Sequence, residues 1–238
     1  MTLPHDSWAA HYEAVMELTF RELYARLTSS ALDEVRARLR PPASIVDFGA
    51  GCGRLSIPLA SEGYRVTAVE PSQPMLDQLH RRSQGLDVET VHQSMQAYRT
   101  DRPHALALCL FTVIAHLLEP DSLAAAFDAV AASLTPGGLF LLDVPDASVF
   151  EGFECDTGDL IRHVEIERLG DSIYDYRENT VVRSDRGPVS YQDRFQIRHW
   201  TRDEVFEALS GAGFETEADV TTRFADLGAE YLLPRSST

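Results

Sequence analysis

Nowhere along the 238 residues does an apolar run approach the roughly 20 that a membrane-spanning helix needs, so nothing here is expected to cross a bilayer. The start, MTLPHDSWAAHYEAV, lacks the basic residues followed by an apolar stretch of a secretory signal, and a cytoplasmic protein is expected. Cysteines are few: Cys52, Cys109 and Cys155 are odd in number, far apart and without paired zinc-type spacing. They point to a reducing compartment and to no metal site. Also missing are any internal repeat and any basic run to offset the formal net charge of -16. Such a chain repels nucleic acid and acidic membrane surfaces and favours small neutral or cationic partners. The same charge also suits a surface tuned for solubility.

What is present, 44% hydrophobic and 24% charged residues, describes a globular chain. Its length suits one α/β domain with an elaboration, as a monomer or homodimer; two full domains would be cramped. From Ser7 to Arg40 the apolar spacing is helical, with a Pro41-Pro42 stop. Strands are expected at Ser44–Phe48, Arg65–Val69, Asp87–His92, Ala105–Leu110 and Leu139–Val144. Helices at Arg54–Glu62, Pro74–Arg82 and Asp121–Leu134 alternate with them, the last ended by a Pro136-Gly137-Gly138 turn. That rhythm predicts a parallel sheet with crossover helices on both faces.

Between Phe153 and His199 the pattern changes. Leu160–Leu169, Ile173–Arg183 and Val189–Ile197 alternate like strands, punctuated by Gly170-Asp171 and Arg186-Gly187-Pro188, and predict an antiparallel meander. A helix restarts at Thr201, which forms a capping-box pattern with Glu204, and Phe214–Val220 and Ala229–Leu233 are read as closing strands. The domain reading is a helical lid at 1–42, a core at 43–152 and 200–238, and a β insertion at 153–199 that either roofs an acceptor pocket or makes a dimer contact. Tyr174, Tyr176, Tyr191 and Phe195 either shape the roof's pocket wall or alternate on a half-buried sheet.

The sharpest signal is Val46-Asp47-Phe48-Gly49-Ala50-Gly51-Cys52-Gly53-Arg54, a strand breaking into alternate glycines before a helix. Glycines admit positive φ and close backbone approach, while amides at a helix start face the ligand. Glu70 ends the second strand, where a carboxylate accepts both ribose hydroxyls of an adenosine. A dinucleotide fingerprint needs GxGxxG, but after Gly49 and Gly51 the third position is Arg54, which argues against NAD.

The segment resembles motif I of the class I S-adenosylmethionine-dependent methyltransferases, with Glu70-Pro71-Ser72 resembling the acidic second motif. The resemblance continues through Met75-Leu76, Gln93-Ser94-Met95, Leu110-Phe111, Leu134-Thr135-Pro136-Gly137-Gly138 and the Trp200-Thr201 to Gly213-Phe214 stretch. It implies a Rossmann-like, mostly parallel seven-stranded sheet, and the insertion resembles that of sugar-amine and glycine-type N-methyltransferases. It further implies that Gly49, Ala50, Gly51 and Gly53 line the cofactor's methionine end, that Glu70 and Pro71 meet the ribose, and that Met75 flanks adenine. Ser94 stands where many relatives place an aspartate, and Met95 offers its backbone amide to the ring. Cys109, Leu110 and Phe111 would border the transfer site. Asp47 either organises the turn or touches the ligand, Cys52 is a small residue inside the loop, and Tyr12 resembles a lid tyrosine. Arg21 or Arg26 either clamps the cofactor carboxylate or lies on a solvated helix face, His116 is either a base that orients the acceptor or a structural helix-start histidine, and His199 is a candidate base.

The reaction implied is in-line displacement of methyl onto nitrogen or oxygen of a small acceptor, leaving S-adenosylhomocysteine, with alignment as the enzyme's main contribution. The (N/D)PP(Y/F) turn of DNA and glutamine amino-methyltransferases is replaced by Leu110-Phe111-Thr112-Val113, which disfavours those substrates. The alternatives are a noncatalytic nucleoside-binding or partner protein and, more distantly, an NAD-dependent reductase.

Overall fold

The computed structural model describes residues 3–183, 187–224 and 228–237. Its main sheet is built on short apolar runs: β1 (Ser44–Phe48), β2 (Arg65–Val69) and β4 (His104–Cys109) are buried along nearly their whole length. Central strands covered on both faces need such continuous apolar sequence. With β3 (Val88–Val91), β5 (Leu134–Pro145), β10 (Phe214–Asp219) and β11 (Ala229–Ser236) they form one seven-stranded sheet in the order β10-β11-β5-β4-β1-β2-β3. Strands β1 to β5 are parallel, while β11 runs antiparallel to β5 and to β10. Strand order reverses between β1 and β4, and ligands of open α/β sheets bind beyond the carboxyl ends at such a switch.

Alternate side chains feed two cores. Val46, Phe48, Phe140 and Leu142 pack with α4 (Pro120–Ser133) and α5 (Arg202–Gly211). Ile45, Leu106 and Leu141 pack with Leu55 and Leu59 around α2 (Ser56–Ser61) and with the second half of α1 (Tyr12–Arg38). The α5 start has the expected capping box, Thr201 and Glu204 bonding each other's backbone N–H. Ser72 caps α3 (Gln73–Arg82) by accepting from Met75 N–H.

A second, four-stranded antiparallel sheet holds β6 (Phe153–Asp156), β7 (Leu160–Arg168), β8 (Ile173–Val182) and β9 (Val189–Arg198). The sequence predicts three strands; the fourth, β6, is a short Phe-Glu-Cys-Asp segment whose polar half hides its strand character. Of the turn expected at 186–188, Arg186 lies outside the described residues. Two further expectations are corrected. The helical start is a short 3-10 turn, Asp6–His11, followed by α1, which bends at Arg21 (φ 43°, ψ -118°). The bend lets one helix serve two sheets: Val15 and Met16 pack with Leu160 and Val182, while Leu27 and Val35 pack on the main sheet. The predicted Pro136-Gly138 turn is instead the irregular start of β5, with Gly137 at φ 72°.

Candidate cofactor and acceptor site

The glycine loop turns back at the carboxyl end of β1. Amides of Gly49 and Ala50 donate to Val69 O on β2, at 2.9 and 3.3 Å. Gly49 has φ 66°, and a Cβ there would lie 2.5 Å from Val113 Cγ2. Gly51 has φ 53° and open space where a Cβ would project, so its backbone is free for close approach by a ligand. Leading into the loop, Asp47 accepts from Ser56 Oγ at 2.6 Å, and burial pushes its carboxyl up to about 6 against that bond and the Arg54 charge. In this structure Asp47 organises the turn.

Glu70 is nine-tenths buried, yet one oxygen accepts from Gly51 N–H and the other from Ser72 N–H, each at 2.9 Å. Burial raises its pKa while these amides lower it. A carboxylate carries about four acceptor sites, so two bonds leave capacity for hydroxyls. Pro71 O receives the His92 ring at 2.9 Å. Met75 is buried with its sulfur 3.2 Å from Cys52 Sγ, under Ala9 and Tyr12. Burial also pushes the Cys52 thiol up to about 12, which suits packing and not nucleophilic attack. Ser94 is exposed, and the Met95 side chain is buried in the core.

The small cavity over the loop, about 50 Å3, is lined by Tyr12, Tyr24, Asp47, Gly49 to Cys52, Arg54, Leu110 and Phe111. Leu110 and Phe111 therefore border the site as expected, but Cys109 does not: it is fully buried in the core among Val46, Phe48 and Ala107. Strand alternation turns it to the wrong face. Arg21 and Arg26 are exposed and absent from the lining. The cation in the cavity is Arg54, half-buried, 4.8 Å from the Phe111 ring centroid and 5.3 Å from that of Tyr24. It donates to Thr28 Oγ1 at 3.2 Å and makes no salt bridge among the described residues. Its place directly after the glycine loop was the available signal. The main-sheet carboxylate that sequence reasoning missed, Asp143, is an acid inside the apolar run Leu-Leu-Asp-Val of β5.

The first residues strap across this cavity. Asp6 accepts from Ser72 Oγ at 2.6 Å, Glu13 pairs with Arg82 at 3.2 Å, and Asp193 of β9 accepts from His5 N–H at 2.6 Å and Trp8 Nε1 at 3.3 Å. Tyr12 stacks obliquely on Trp8 and His5, and burial raises its pKa, keeping it a protonated donor. His116 stands beyond the β4 turn with its ring 5.5 Å from Phe195 of β9. It is exposed and lines neither cavity, while crowding by protein atoms and the neighbouring His5 lower its pKa. His199 is not brought to this place: its ring packs edge-on against Phe150 at 5.1 Å.

Phe195 stacks on Tyr176 at 4.5 Å, Tyr191 meets His11, and Tyr174 packs on Phe150. The sheet's inner face is bolted to α1 by Arg162, which is 3% exposed, pairs bidentately with Glu178 at 2.9 and 3.1 Å, and reaches Thr19 Oγ1 at 3.2 Å. A larger hollow, about 770 Å3, lies elsewhere, across β2 and β3 and the starts of β1 and β4, lined by Arg65, Glu89 and Arg102 among others. It is not the candidate site, because sheet ligands gather at the carboxyl ends.

A parallel sheet reversing at β1/β4, a glycine loop and an acid ending β2 make an α/β fold with the arrangement found in nucleoside-binding proteins. The family model described as a methyltransferase domain matches residues 45–138. The chain is 31% identical over 108 residues to the cypemycin N-terminal methyltransferase of a Streptomyces species, covering 45% of this chain and 44% of that protein. It thus spans under half the length of that relative. It is 25% identical over 202 residues to the dTDP-3-amino-3,6-dideoxy-α-D-glucopyranose N,N-dimethyltransferase of Streptomyces fradiae, covering 82% and 78%. The fold matches an S-adenosylmethionine-dependent methyltransferase from Clostridium acetobutylicum with a TM-score of 0.84 at 18% identity, over 96% and 99% of the two chains. Residues 45–138 thus match a methyltransferase domain, and the chain shares its overall fold with that methyltransferase. Among the described residues no helix is long and apolar enough to cross a membrane.

Proposed function

We propose that this enzyme transfers a methyl group from S-adenosylmethionine to the nitrogen of a small-molecule amine held between the glycine loop and the four-stranded sheet. The observation that carries the reading is the Gly49–Gly53 loop with the Glu70 carboxylate bonded to Gly51, at the point where the strand order reverses. The activities for which these relatives are named, N-terminal and amino-sugar N-methylation, support nitrogen as the acceptor atom.

The residues present fit the cofactor. Gly51 leaves open space, Glu70 retains acceptor capacity toward ribose hydroxyls, and Arg54 is a cation in search of an anion. Its guanidinium, clasped between Tyr24 and Phe111, suits bidentate capture of the methionine carboxylate. When bound, S-adenosylmethionine supplies an electrophilic methyl on a sulfonium, chemistry that needs no metal. The chain's own residues align the acceptor and exclude water. His116, neutral at pH 7, accepts a hydrogen bond that orients the amine, and Tyr12 donates from the strap above. Ligand pockets usually enclose about 300–1,000 Å3, so the strap of residues 5–13 must lift from its present position to admit the cofactor. On this reading residues 1–42 are a lid, 153–199 a roof, and the chemistry cytoplasmic, in keeping with three free cysteines.

Calorimetry tests the assignment. S-adenosylhomocysteine should bind, and amines of the amino-sugar and peptide amino-terminal classes, incubated with the methyl donor, should yield S-adenosylhomocysteine. Absence of binding to folded protein would sink it. Arg54→Gln should weaken S-adenosylhomocysteine by about 10-fold or more, about 1.4 kcal/mol, while leaving 5′-methylthioadenosine, which has no carboxylate, unaffected. Equal loss for both ligands would mean that Arg54 only supports the loop.

A further inference from the structure

Phe111 and Thr112 follow β4 with φ of 75° and 65°, two successive non-glycine residues in the left-handed region. A β-branched residue such as Thr112 rarely enters it, and such conformations persist only where the surroundings over-determine them. Here the surrounding group is Asp143 on the neighbouring β5. Its Oδ2 accepts the Thr112 N–H at 2.9 Å, the residue is 2% exposed, and its Oδ1 has no partner among the described residues. Burial pushes this carboxyl up to about 6, opposed by the Thr112 amide, the Arg54 charge and the Phe111 amide. Successive amides turned to one side form a concave seat for an anion, and Asp143 occupies that seat.

The segment so held touches every part of the site. The Phe111 ring meets Phe20 at 6.2 Å and Tyr24 at 5.5 Å on α1. Val113 abuts Gly49 closely enough to forbid a Cβ there. Ala115 N–H returns to Thr112 O at 3.0 Å, closing the short turn that ends at His116 under the second sheet. One carboxylate thereby sets the glycine loop, the lid helix and the acceptor-side histidine relative to one another.

We infer that Asp143 is a positioning residue: by anchoring the Thr112 amide it holds the left-handed Phe111-Thr112 pair and places Phe111, Val113 and His116 without itself touching cofactor or acceptor. Its functional readout rests on the methyltransferase reading; its hold on the turn does not.

Three variants test this. Asp143→Asn keeps an oxygen that accepts from Thr112. Asp143→Leu keeps bulk but no acceptor, and Asp143→Leu with Thr112→Gly adds a residue free to enter the left-handed region. S-adenosylhomocysteine affinity is read by calorimetry, and hydrogen exchange of the residue-112 amide by NMR. Asp143→Asn should stay within about threefold of wild type, Asp143→Leu should lose about tenfold together with amide protection, and the double variant should recover most of the affinity. Unchanged affinity and protection in Asp143→Leu, or a double variant no tighter than Asp143→Leu, would overturn the inference, since mere space-filling predicts no rescue by glycine. If Asp143→Leu does not fold, hydrogen exchange of the Thr112 amide in labelled wild-type protein decides: strong protection supports the contact, and exchange as fast as an exposed amide overturns it. Wild-type protein that binds no S-adenosylhomocysteine would sink the methyltransferase reading, while protection at Thr112 would still judge the turn.

Discussion

Beneath the glycine loop, Asp47, Glu70 and Asp143 are buried and held by hydroxyl or amide donors, and the nearby Arg54 makes no ion pair among the described residues. In the four-stranded sheet, buried charge is matched to charge: Arg162 locks onto Glu178, and on the outer face Asp175 is gripped by Arg177 and Arg194. A carboxylate held by neutral dipoles keeps capacity for a ligand, whereas an ion pair has spent its donors on its partner. The glycine-loop region is therefore arranged to receive polar groups and the four-stranded sheet to keep its shape. All 21 basic residues are arginine, whose fixed fork suits such two-point pairing.

The comparison is broken most forcefully in the four-stranded sheet. Arg162→Ala leaves Glu178 buried and uncompensated and should cost about 3–5 kcal/mol of stability, read from denaturant unfolding. Replacing both partners, Arg162→Met with Glu178→Leu, should recover most of that loss. A single variant as stable as wild type would show that the pair does not bolt the sheet to α1.

Next in size is the glycine-loop region. Gly49→Ala drives a Cβ into Val113 at a positive φ and should weaken S-adenosylhomocysteine by about 100-fold, about 2.7 kcal/mol. Gly51→Ala meets no neighbour and should lose less through packing, its cost coming from φ and from the ligand. Equal tolerance of alanine at both positions in a calorimetric titration would contradict the loop geometry.

The smallest expected effect is on pH dependence, and it has opposite signs in the two regions. Burial holds Asp47 and Asp143 near 6 in the folded protein, above the ordinary aspartate value of about 3.9. The native state then binds more protons than the unfolded chain between about pH 4 and 6, so these two groups make the fold more stable as pH falls through that window. In the four-stranded sheet, Arg194 and Arg177 hold Asp175 low; at Asp193 burial pushes upward, but bonds to His5 prevail and lower it. Their stabilisation is present above the unfolded pKa and is lost as pH falls further. Urea midpoints should rise from pH 8 toward 5, and Asp47→Asn should flatten that rise; an unchanged slope in the variant would remove Asp47 as its source.

Much of the glycine-loop region was legible in the chain. The bounds of β1 and β2 coincide with their apolar runs, and the glycine spacing with Glu70 located the turn and the carboxylate bonded to it, because strand, turn and helix there are contiguous and each obeys a local rule. Cys109 and Leu110 are neighbours at one strand end, yet only Leu110 reaches the cavity: the resemblance named both, the pleat chose between them, and Phe111 joins Leu110 because the chain leaves the strand there at φ 75°. His199 was named as a candidate base for its chemistry alone, and its packing on Phe150 removed it.

Local residue order, then, determined the alternation of strands and helices, the glycine turn and the acid that follows it, since these depend on neighbours within a few positions. Folding alone decided that Arg54 lines the cavity while Arg21 and Arg26 stay on a solvated helix face, that Asp193 ties down the first turn, and that Asp143 steadies a bend on the adjacent strand. The hydrogen bonds of these three residues join positions 26 to 188 apart, and no periodicity in a single chain encodes which distant side chains will share a desolvated space.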